Sequence, residues 1–453
     1  MKSFADSPPA GVLGLRVFDR AVMVTILSRV LGLVTAPLNL YFTIQYLSEA
    51  ERGYHFTFFS LLGFSALFDG GVSFSAQQFI SREAAHLRVS QDSRLAGSAE
   101  GVARLSALFR QTCRWYSRAA LAFGALLLVG GGGFFWATAK DDLPWQIPWL
   151  LCVATSSVSL ITSPLTSLIA GIGRVESIAT SNAARTFASA VALCVLLASG
   201  AGLYAGPISG LVGFTVWLFA MLGRWLPLVR QTAECDPAAK PVNWVTQVWP
   251  MQWRMAVSIA CGFFIFRAIT PVVFSTSGAI MAGKFGLTQM AIDFALQVSS
   301  AWLAVRTPLM AKLHSLRSQA TLDRVFRSTF LLSVAGYCIC VAAGMGFLWV
   351  LRPVYPHLVN AFLGPIPFAL LAVWTLSNQL LQLFATYCRT AGSEPFMSIS
   401  IASAGATLLG SFAFGSLAGI LGIAGWLAVH NAVIFVPWGW FIYRQVRASV
   451  AHG

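Results

Sequence analysis

The chain has 453 residues, of which 57% are hydrophobic and 10% are charged. Soluble proteins have about 25% charged residues, so this composition excludes a chain built mainly of soluble domains. The formal net charge of +14 requires no nucleic-acid partner, because basic cytoplasmic loops and their attraction to anionic membrane lipids account for it.

Apolar blocks of about 20 residues, the length that crosses the core of a bilayer, follow one another along the chain. We count twelve of them: 21–46, 54–80, 116–138, 147–171, 178–201, 206–228, 254–276, 288–311, 329–352, 364–388, 396–417 and 420–442. The sequence therefore predicts an all-α polytopic membrane protein with about twelve transmembrane helices.

Basic residues are divided unevenly between the loops on the two sides of the membrane. Loops on the side of the N terminus hold 22 of the 30 Lys and Arg residues. The opposite loops hold four, Arg52, Lys140, Lys284 and Arg352. This asymmetry predicts that both termini are cytoplasmic. The opening residues, 1–11, lack the apolar core and cleavage site of a signal peptide and are interpreted as a cytoplasmic tail.

Two long inner links divide the chain. The second half of the first link, 81–115, has apolar residues at helical spacing, which predicts a helix along the membrane surface. These residues are Val102, Leu105, Leu108 and Phe109. Helices 1 and 7 each carry an Arg and a Pro, and helices 2 and 8 each carry an Asp. We predict two six-helix halves around a central cavity, 1–228 and 254–453, joined by the cytoplasmic linker 229–253.

Predicted helix 2 contains a carboxylate followed by two glycines, in the stretch "FSALFDGGVSFSAQQFISRE". At every fourth position the helix carries a polar residue: Ser65, Asp69, Ser73, Gln77 and Ser81. Residues at this spacing share one face of a helix, so the pattern predicts a wet stripe. Gly70 and Gly71 permit either close helix packing or a bend, and we expect close packing.

Comparable polar stripes occur on other predicted helices. Helix 1 contributes Asn39, helix 8 has Gln289, Asp293 and Gln297, and helix 10 has Trp374, Asn378 and Gln382. One polar residue per helix commonly joins two helices, whereas aligned stripes on several helices favour a water-filled cavity between them. We therefore expect these stripes to face a common cavity.

Charged residues inside the predicted spans carry the strongest functional signal, because an arginine at mid-membrane costs about 2.5–3.5 kcal/mol. Four arginines lie there, Arg29, Arg185, Arg267 and Arg306, against two acids, Asp69 and Asp293. Arg306 lies near the inner surface, where a structural role is equally expected. The acids either pair with two of the arginines or stand apart from them. In both cases cations are in excess, which favours an anionic substrate with phosphate or carboxylate groups.

The sequence lacks the residue patterns of most catalytic and cofactor sites. Asp141 and Asp142 form a solvated turn rather than a catalytic pair, and "GGGG" at 130–133 has no phosphate-binding partner residues. The Cys338–Cys340 pair has no His or carboxylate neighbour, so it is interpreted as buried small side chains rather than a metal site. We expect no metal, no other cofactor and no enzymatic activity.

Two stretches resemble a known superfamily. The run "YLSEAERGYHFTFFSLLGFSALFDGGVSFSAQQFISREAAH" is similar to the first-repeat region of the multidrug/oligosaccharidyl-lipid/polysaccharide (MOP) exporters, in particular the Wzx-type polysaccharide flippases. The run "GKFGLTQMAIDFALQVSSAWLAVRTPLMAKLHSLRSQ" resembles the counterpart in the second half. The family often has Asp-Leu-Gly-Leu where this chain has "FDGGV".

The resemblance implies a flippase of the bacterial inner (plasma) membrane that moves a polyprenyl-pyrophosphate-linked oligosaccharide outward by alternating access. Its partners would be that lipid-linked glycan, membrane lipids, and the polymerase and glycosyltransferases of the same pathway. The four arginines would then hold pyrophosphate or acidic sugars, while Asp69 and Asp293 would couple transport to H⁺ or Na⁺ or merely orient arginines. Residues expected to contact sugars are Asn39, Trp302, Trp374, Asn378, Gln379 and Gln382, with core packing as the alternative for both tryptophans.

Three other functions stay open at this point. A cation-coupled multidrug antiporter of the same superfamily would need an acidic or neutral cavity, whereas the predicted one is basic. A membrane glycan polymerase or ligase would need a structured outer loop, and no outer loop exceeds roughly a dozen residues, much shorter than a domain. A lipid scaffold without transport would not need a cavity open alternately to each side.

Overall fold

The structure is a computed structural model that describes residues 20–85, 87–90, 92–234, 244, 249–316, 318–390 and 395–452. The predicted tail 1–11 and most of the linker 229–253 lie outside these residues. The α-helices are α1 (Arg20–Tyr46), α2 (Glu49–Leu62), α3 (Ser65–Asp69), α4 (Val72–Ala84), α5 (Ala99–Leu126), α6 (Gly132–Thr138), α7 (Gln146–Ile161), α8 (Ser163–Gly171), α9 (Val175–Ala198), α10 (Ala205–Glu234), α11 (Trp249–Phe266), α12 (Ile269–Ser315), α13 (Gln319–Leu351), α14 (Pro356–Asn360), α15 (Pro365–Thr390), α16 (Met397–His430) and α17 (Val436–His452). A two-stranded antiparallel sheet pairs β1 (Arg88–Val89) with β2 (Leu95–Ala96).

Most helices have the length and composition of membrane spans. Within the described residues, eight helical stretches are long and apolar enough to cross a bilayer, and the bent pair Glu49–Asp69 and Val72–Ala84 makes a ninth. The chain is therefore an all-α polytopic membrane protein, as the sequence predicts. The division into two six-helix halves stays a prediction.

The two longest of the eight stretches each have room for two crossings. Gln252–His314 has 63 residues and Met397–Ser449 has 53, whereas about 20 residues cross the hydrocarbon core. Each contains a break in helical geometry, at Gly278 (φ 84°) and at Ala418–Gly419. Each break falls where the sequence separates two predicted spans. Two crossings in each of these two stretches, one in each of the other six, one in the bent pair and one in α1 would give the twelve predicted crossings.

The expectation of simple close packing at Gly70 and Gly71 was wrong, because the helix breaks there. Both glycines adopt the left-handed conformation, with φ of 51° and 75°, and the stretch Glu49–Asp69 is bent by 43° relative to α4. Only glycine enters this conformation without steric cost. A Cβ atom on Gly71 would lie 3.0 Å from Cβ of Met255 in α11, so the break also brings the chain close to a neighbouring helix.

The amphipathic part of the first inner link does not form a separate surface helix. It is the first part of α5, which continues into the third predicted span. Leu105 and Leu108 are fully buried against Ile80 of α4 and Leu168 of α8. The periodicity therefore correctly predicts a helix, but its apolar face is covered by protein rather than by lipid.

The end of the bundle that holds residues 139–145 and 352–364, predicted to face outward, is called the outer end below. There an aromatic cluster joins the two predicted halves. The Phe274 ring of α12 lies 5.1 Å from that of Tyr54 and 5.7 Å from that of Phe135, between ring centroids. All three side chains are buried. In this conformation the outer end is closed in the sense that the two predicted halves are in direct contact there.

Glycines allow α2 and α12 to approach each other closely at the outer end. A Cβ atom on Gly53 would lie 2.0 Å from the carbonyl oxygen of Ala279, and one on Gly286 would lie 2.2 Å from the ring of Phe56. Such distances are shorter than any van der Waals contact, so only glycine fits without a backbone shift. The contact between the two predicted halves depends on these glycines.

We expect Gly53→Ala to destabilise the closed conformation, because overpacking costs about 1–3 kcal/mol. The measurement is thermal unfolding of the purified protein in detergent, in which the midpoint should fall. Gly210→Ala in α10 is the matched control, because no atom lies within 4 Å of a Cβ at that position. Equal midpoints for the two variants would contradict the assigned close contact.

Candidate functional site

The Asp69 carboxylate is held at the helix break by three hydrogen-bond donors. The Tyr116 hydroxyl of α5 donates to Oδ1, while the Ser73 hydroxyl and the Gly71 amide donate to Oδ2 at 2.9 and 3.2 Å. The break supplies the Gly71 amide, because a continuous helix would direct that group to its own backbone. Asp69 is half-buried. Among the described side chains it forms no ion pair with an arginine, so pairing does not account for this acid.

Arg267 lies at a second break, between α11 and α12. Proline at position 271 explains the break, since a proline removes the amide that would bond to the carbonyl four residues earlier and clashes with it. That carbonyl belongs to Arg267, and it accepts a hydrogen bond from the Ser60 hydroxyl of α2 instead. The Arg267 side chain is exposed. It is therefore available to a ligand while its backbone is anchored to the other predicted half.

Asp293 lies in α12 within electrostatic reach of Arg267. Its Oδ1 accepts a hydrogen bond of 2.8 Å from the Gln289 amide. No ion pair joins it to Arg267, although the two opposite charges stabilise each other across the gap. Asp293 also interacts electrostatically with the phenol of Tyr337. Arg267 and Asp293 are therefore two opposite charges of the second half that interact without an ion pair.

Arg185 and Asn39 belong to neighbouring helices of the first half. Arg185 is half-buried in α9 and has no hydrogen-bond or ion-pair partner within the described part of the chain. Asn39 of α1 lies 3.8 Å from Sγ of Cys194, also in α9. Arg29 belongs to α1 as well, but its side chain lies outside the described residues. Its proposed role in binding stays a prediction.

Arg306 connects two helices of the second half. Its guanidinium donates to the hydroxyl of Ser328 and to that of Thr329, at 3.4 Å, both on α13. It is half-buried. This geometry favours the structural interpretation of Arg306 over substrate binding.

The residues expected to contact sugars differ in accessibility. Trp302 and Gln382 are exposed, and Trp302 packs beside Gly336 of α13. Trp374 is buried, with 1% exposure and its ring 6.2 Å from Phe266, so it packs in the core here. Asn378 is half-buried and donates to the Trp374 carbonyl at 3.0 Å. Gln379, also buried, donates to Ser299 at 2.8 Å.

Tyr116 is the hydrogen-bond partner of Asp69 that the sequence did not indicate. It is fully buried and lies 47 positions from Asp69, its hydrogen-bond partner. An aromatic residue at the start of a span is typical of the membrane interface, so nothing in the local pattern indicates a carboxylate partner. No group of His, Cys, Asp or Glu within the described chain is arranged to hold a metal ion.

Comparison with solved structures shows that the fold is similar to that of transporters described as members of the MOP superfamily. An inward-facing multidrug resistance MATE transporter of this superfamily aligns with 95% of the chain and 99% of its own, at TM-score 0.63 and 14% identity. The outward-facing conformation of a multidrug resistance MATE transporter aligns with 95% of this chain and 96% of its own, at TM-score 0.58 and 14% identity. A MOP-superfamily transporter from Pyrococcus furiosus covers 95% of both chains at TM-score 0.57 and 12% identity. No family model and no curated protein matches the chain.

Proposed function

We propose that the chain is a membrane transporter that works by alternating access and carries an anionic polyprenyl-pyrophosphate-linked oligosaccharide from the cytoplasmic to the outer leaflet. Such transport would serve the synthesis of a cell-surface polysaccharide. The observation that carries this proposal is that neither Arg185 nor Arg267 forms an ion pair with a described residue. Both lie within predicted spans, where a cation without a direct counter-ion is costly.

Asp69 strengthens the argument, because three neutral donors hold it and no described arginine does. Internal ion pairing would have consumed two of the four cations. Since Arg306 is held by hydroxyls and Asp293 forms no ion pair, the membrane region keeps an excess of positive charge. A guanidinium binds phosphate through two parallel hydrogen bonds, which suits a pyrophosphate linkage.

Alternating access agrees with the closed outer end. The aromatic cluster around Phe274 and the glycine contact at Gly53 would have to separate when the transporter opens outward. The TM-score is higher for the inward-facing relative than for the outward-facing one, 0.63 against 0.58. We therefore assign this conformation to the inward-facing state of the cycle.

Coupling of transport to H⁺ or Na⁺ is assigned to Asp69 and Asp293. Each carboxylate is half-buried within a membrane-spanning segment and free of a direct ion pair in the described structure. An intramembrane acid without a direct ion pair is able to take up a proton or a cation as the conformation changes. The choice between the two ions is left to the experiment described in the Discussion.

Multidrug efflux is the second candidate, since the similar structures include multidrug resistance MATE transporters. The fold does not fix the charge of the cavity. One similar structure is described as having a binding pocket of reverse polarity that suggests a different function. An organic cation would be repelled by Arg185 and Arg267, so we rank this candidate second.

Both candidates are tested in proteoliposomes that contain the purified protein. A fluorescent polyprenyl-pyrophosphate oligosaccharide is added, and the fraction exposed to the outside is read by quenching with dithionite over time. Uptake of ethidium into the same vesicles under a proton or sodium gradient measures drug transport. Glycan movement without ethidium transport supports the proposal, whereas ethidium transport without glycan movement favours the antiporter.

A further inference from the structure

Two adjoining cavities at the outer end differ in chemical character. The first, called the outer cavity, has a volume of about 550 Å³ and is lined by Glu49, Lys284, Arg352 and Asn360 together with apolar residues. The second, called the apolar groove, has a volume of about 360 Å³ and is lined by apolar residues of α1, α12 and α13 and of the outer segment 358–368. Both are lined by Leu348, Phe362 and Phe368, so they adjoin along these three side chains.

The outer cavity brings together two of the basic residues of the outer end. Lys284 and Arg352 are two of the four basic residues in the predicted outer loops. Neither forms an ion pair with Glu49 or with another described residue. Glu49 lies in the first turn of α2 and acts on Arg52, so the helix N-terminus and that arginine compensate its charge. The cavity therefore has an excess of positive charge.

We infer that the outer cavity and the apolar groove together bind one anionic phospholipid of the outer leaflet. Its phosphate lies between Lys284 and Arg352, and an acyl chain follows the groove. The charge and the apolar wall match the two parts of such a lipid, and Tyr41 and Phe347 at the groove are exposed on the surface of a predicted membrane span. The inference does not depend on the transported substrate.

Native mass spectrometry of the protein from nanodiscs that contain equal amounts of phosphatidylglycerol and phosphatidylcholine tests this assignment. Wild-type protein should retain one phosphatidylglycerol in preference to phosphatidylcholine. Lys284→Gln/Arg352→Gln should reduce that retention about a hundredfold, because two charge-assisted hydrogen bonds are lost and each loss weakens binding about tenfold. Lys140→Gln removes an outer cation that lines neither cavity and should have no effect.

A second variant blocks the groove without touching the charges. Gly344 lines the groove and has open space around its Cβ position, whereas Gly346 on the same helix has equal space but does not line it. Gly344→Phe should lower phosphatidylglycerol retention, and Gly346→Phe should not. This pair keeps the test valid if the double charge variant fails to fold.

Three results would overturn the assignment. The first is equal retention of both lipids by wild-type protein, and the second is unchanged retention in both Lys284→Gln/Arg352→Gln and Gly344→Phe. The third is displacement of phosphatidylglycerol by an equimolar competitor. Displacement by a polyprenyl phosphate would assign the cavities to the carrier lipid, and displacement by inorganic phosphate would reduce them to a phosphate site.

Discussion

Arg267→Ala is expected to reduce glycan translocation about tenfold to a hundredfold while the protein stays folded and inserted. The guanidinium is exposed at a helix break and faces no acid within ion-pair distance, so its loss removes substrate binding rather than an internal contact. A hydrogen bond to a charged group contributes about 1.5–3 kcal/mol, which corresponds to that range. The dithionite assay in proteoliposomes measures the rate.

Arg267→Lys should restore only part of the rate, because an ammonium keeps the charge but loses the bidentate geometry. Arg224→Ala is the matched control, since Arg224 is exposed and its guanidinium lies over the ring of Trp225. The double variant Arg267→Ala/Asp293→Asn separates binding from structure. Recovery to the wild-type rate would mean that Arg267 serves only to balance Asp293. A persistent loss at normal protein level would support substrate binding.

The sequence was sufficient to predict the helices but not all of their interruptions. Hydropathy determines where a span lies, because each block must cross the hydrocarbon core. Pro271 could have indicated the break at Arg267, since a proline frees the carbonyl four residues earlier. For Gly70 and Gly71 the sequence allows both close packing and a bend, because a glycine pair is compatible with either close approach or a left-handed turn.

The site was only partly predictable, since its charges are visible in the sequence but their partners are not. Four arginines against two acids indicated excess positive charge, yet pairing depends on helix rotation. That rotation placed Arg306 against Ser328 of α13 and brought Tyr116, rather than an arginine, to Asp69. Likewise, Leu105 and Leu108 repeat at helical spacing whether protein or lipid covers them, so the sequence could not distinguish the two environments.

Asp69→Asn should abolish ion-coupled transport, lowering the coupled rate about a hundredfold, with little effect on folding. Asparagine retains one acceptor oxygen for the Ser73 hydroxyl and the Gly71 amide, and its NH₂ is able to donate to the Tyr116 oxygen. Asparagine therefore preserves the hydrogen bonds at the helix break but removes the negative charge. Proteoliposomes with an imposed proton or sodium gradient measure the effect, and the gradient that accelerates wild-type transport identifies the ion.

Tyr116→Phe provides the comparison, because it removes one donor and keeps the carboxylate charge. The loss of one such hydrogen bond is worth about 1.5–3 kcal/mol at most, so transport should weaken but still respond to the gradient. If Asp69 only secures the helix break, the order reverses: Asp69→Asn would retain gradient-driven transport, and Tyr116→Phe would lower the thermal midpoint more than the transport rate. If Asp69 couples transport to the ion, Asp69→Asn lowers the gradient-driven rate more than Tyr116→Phe does.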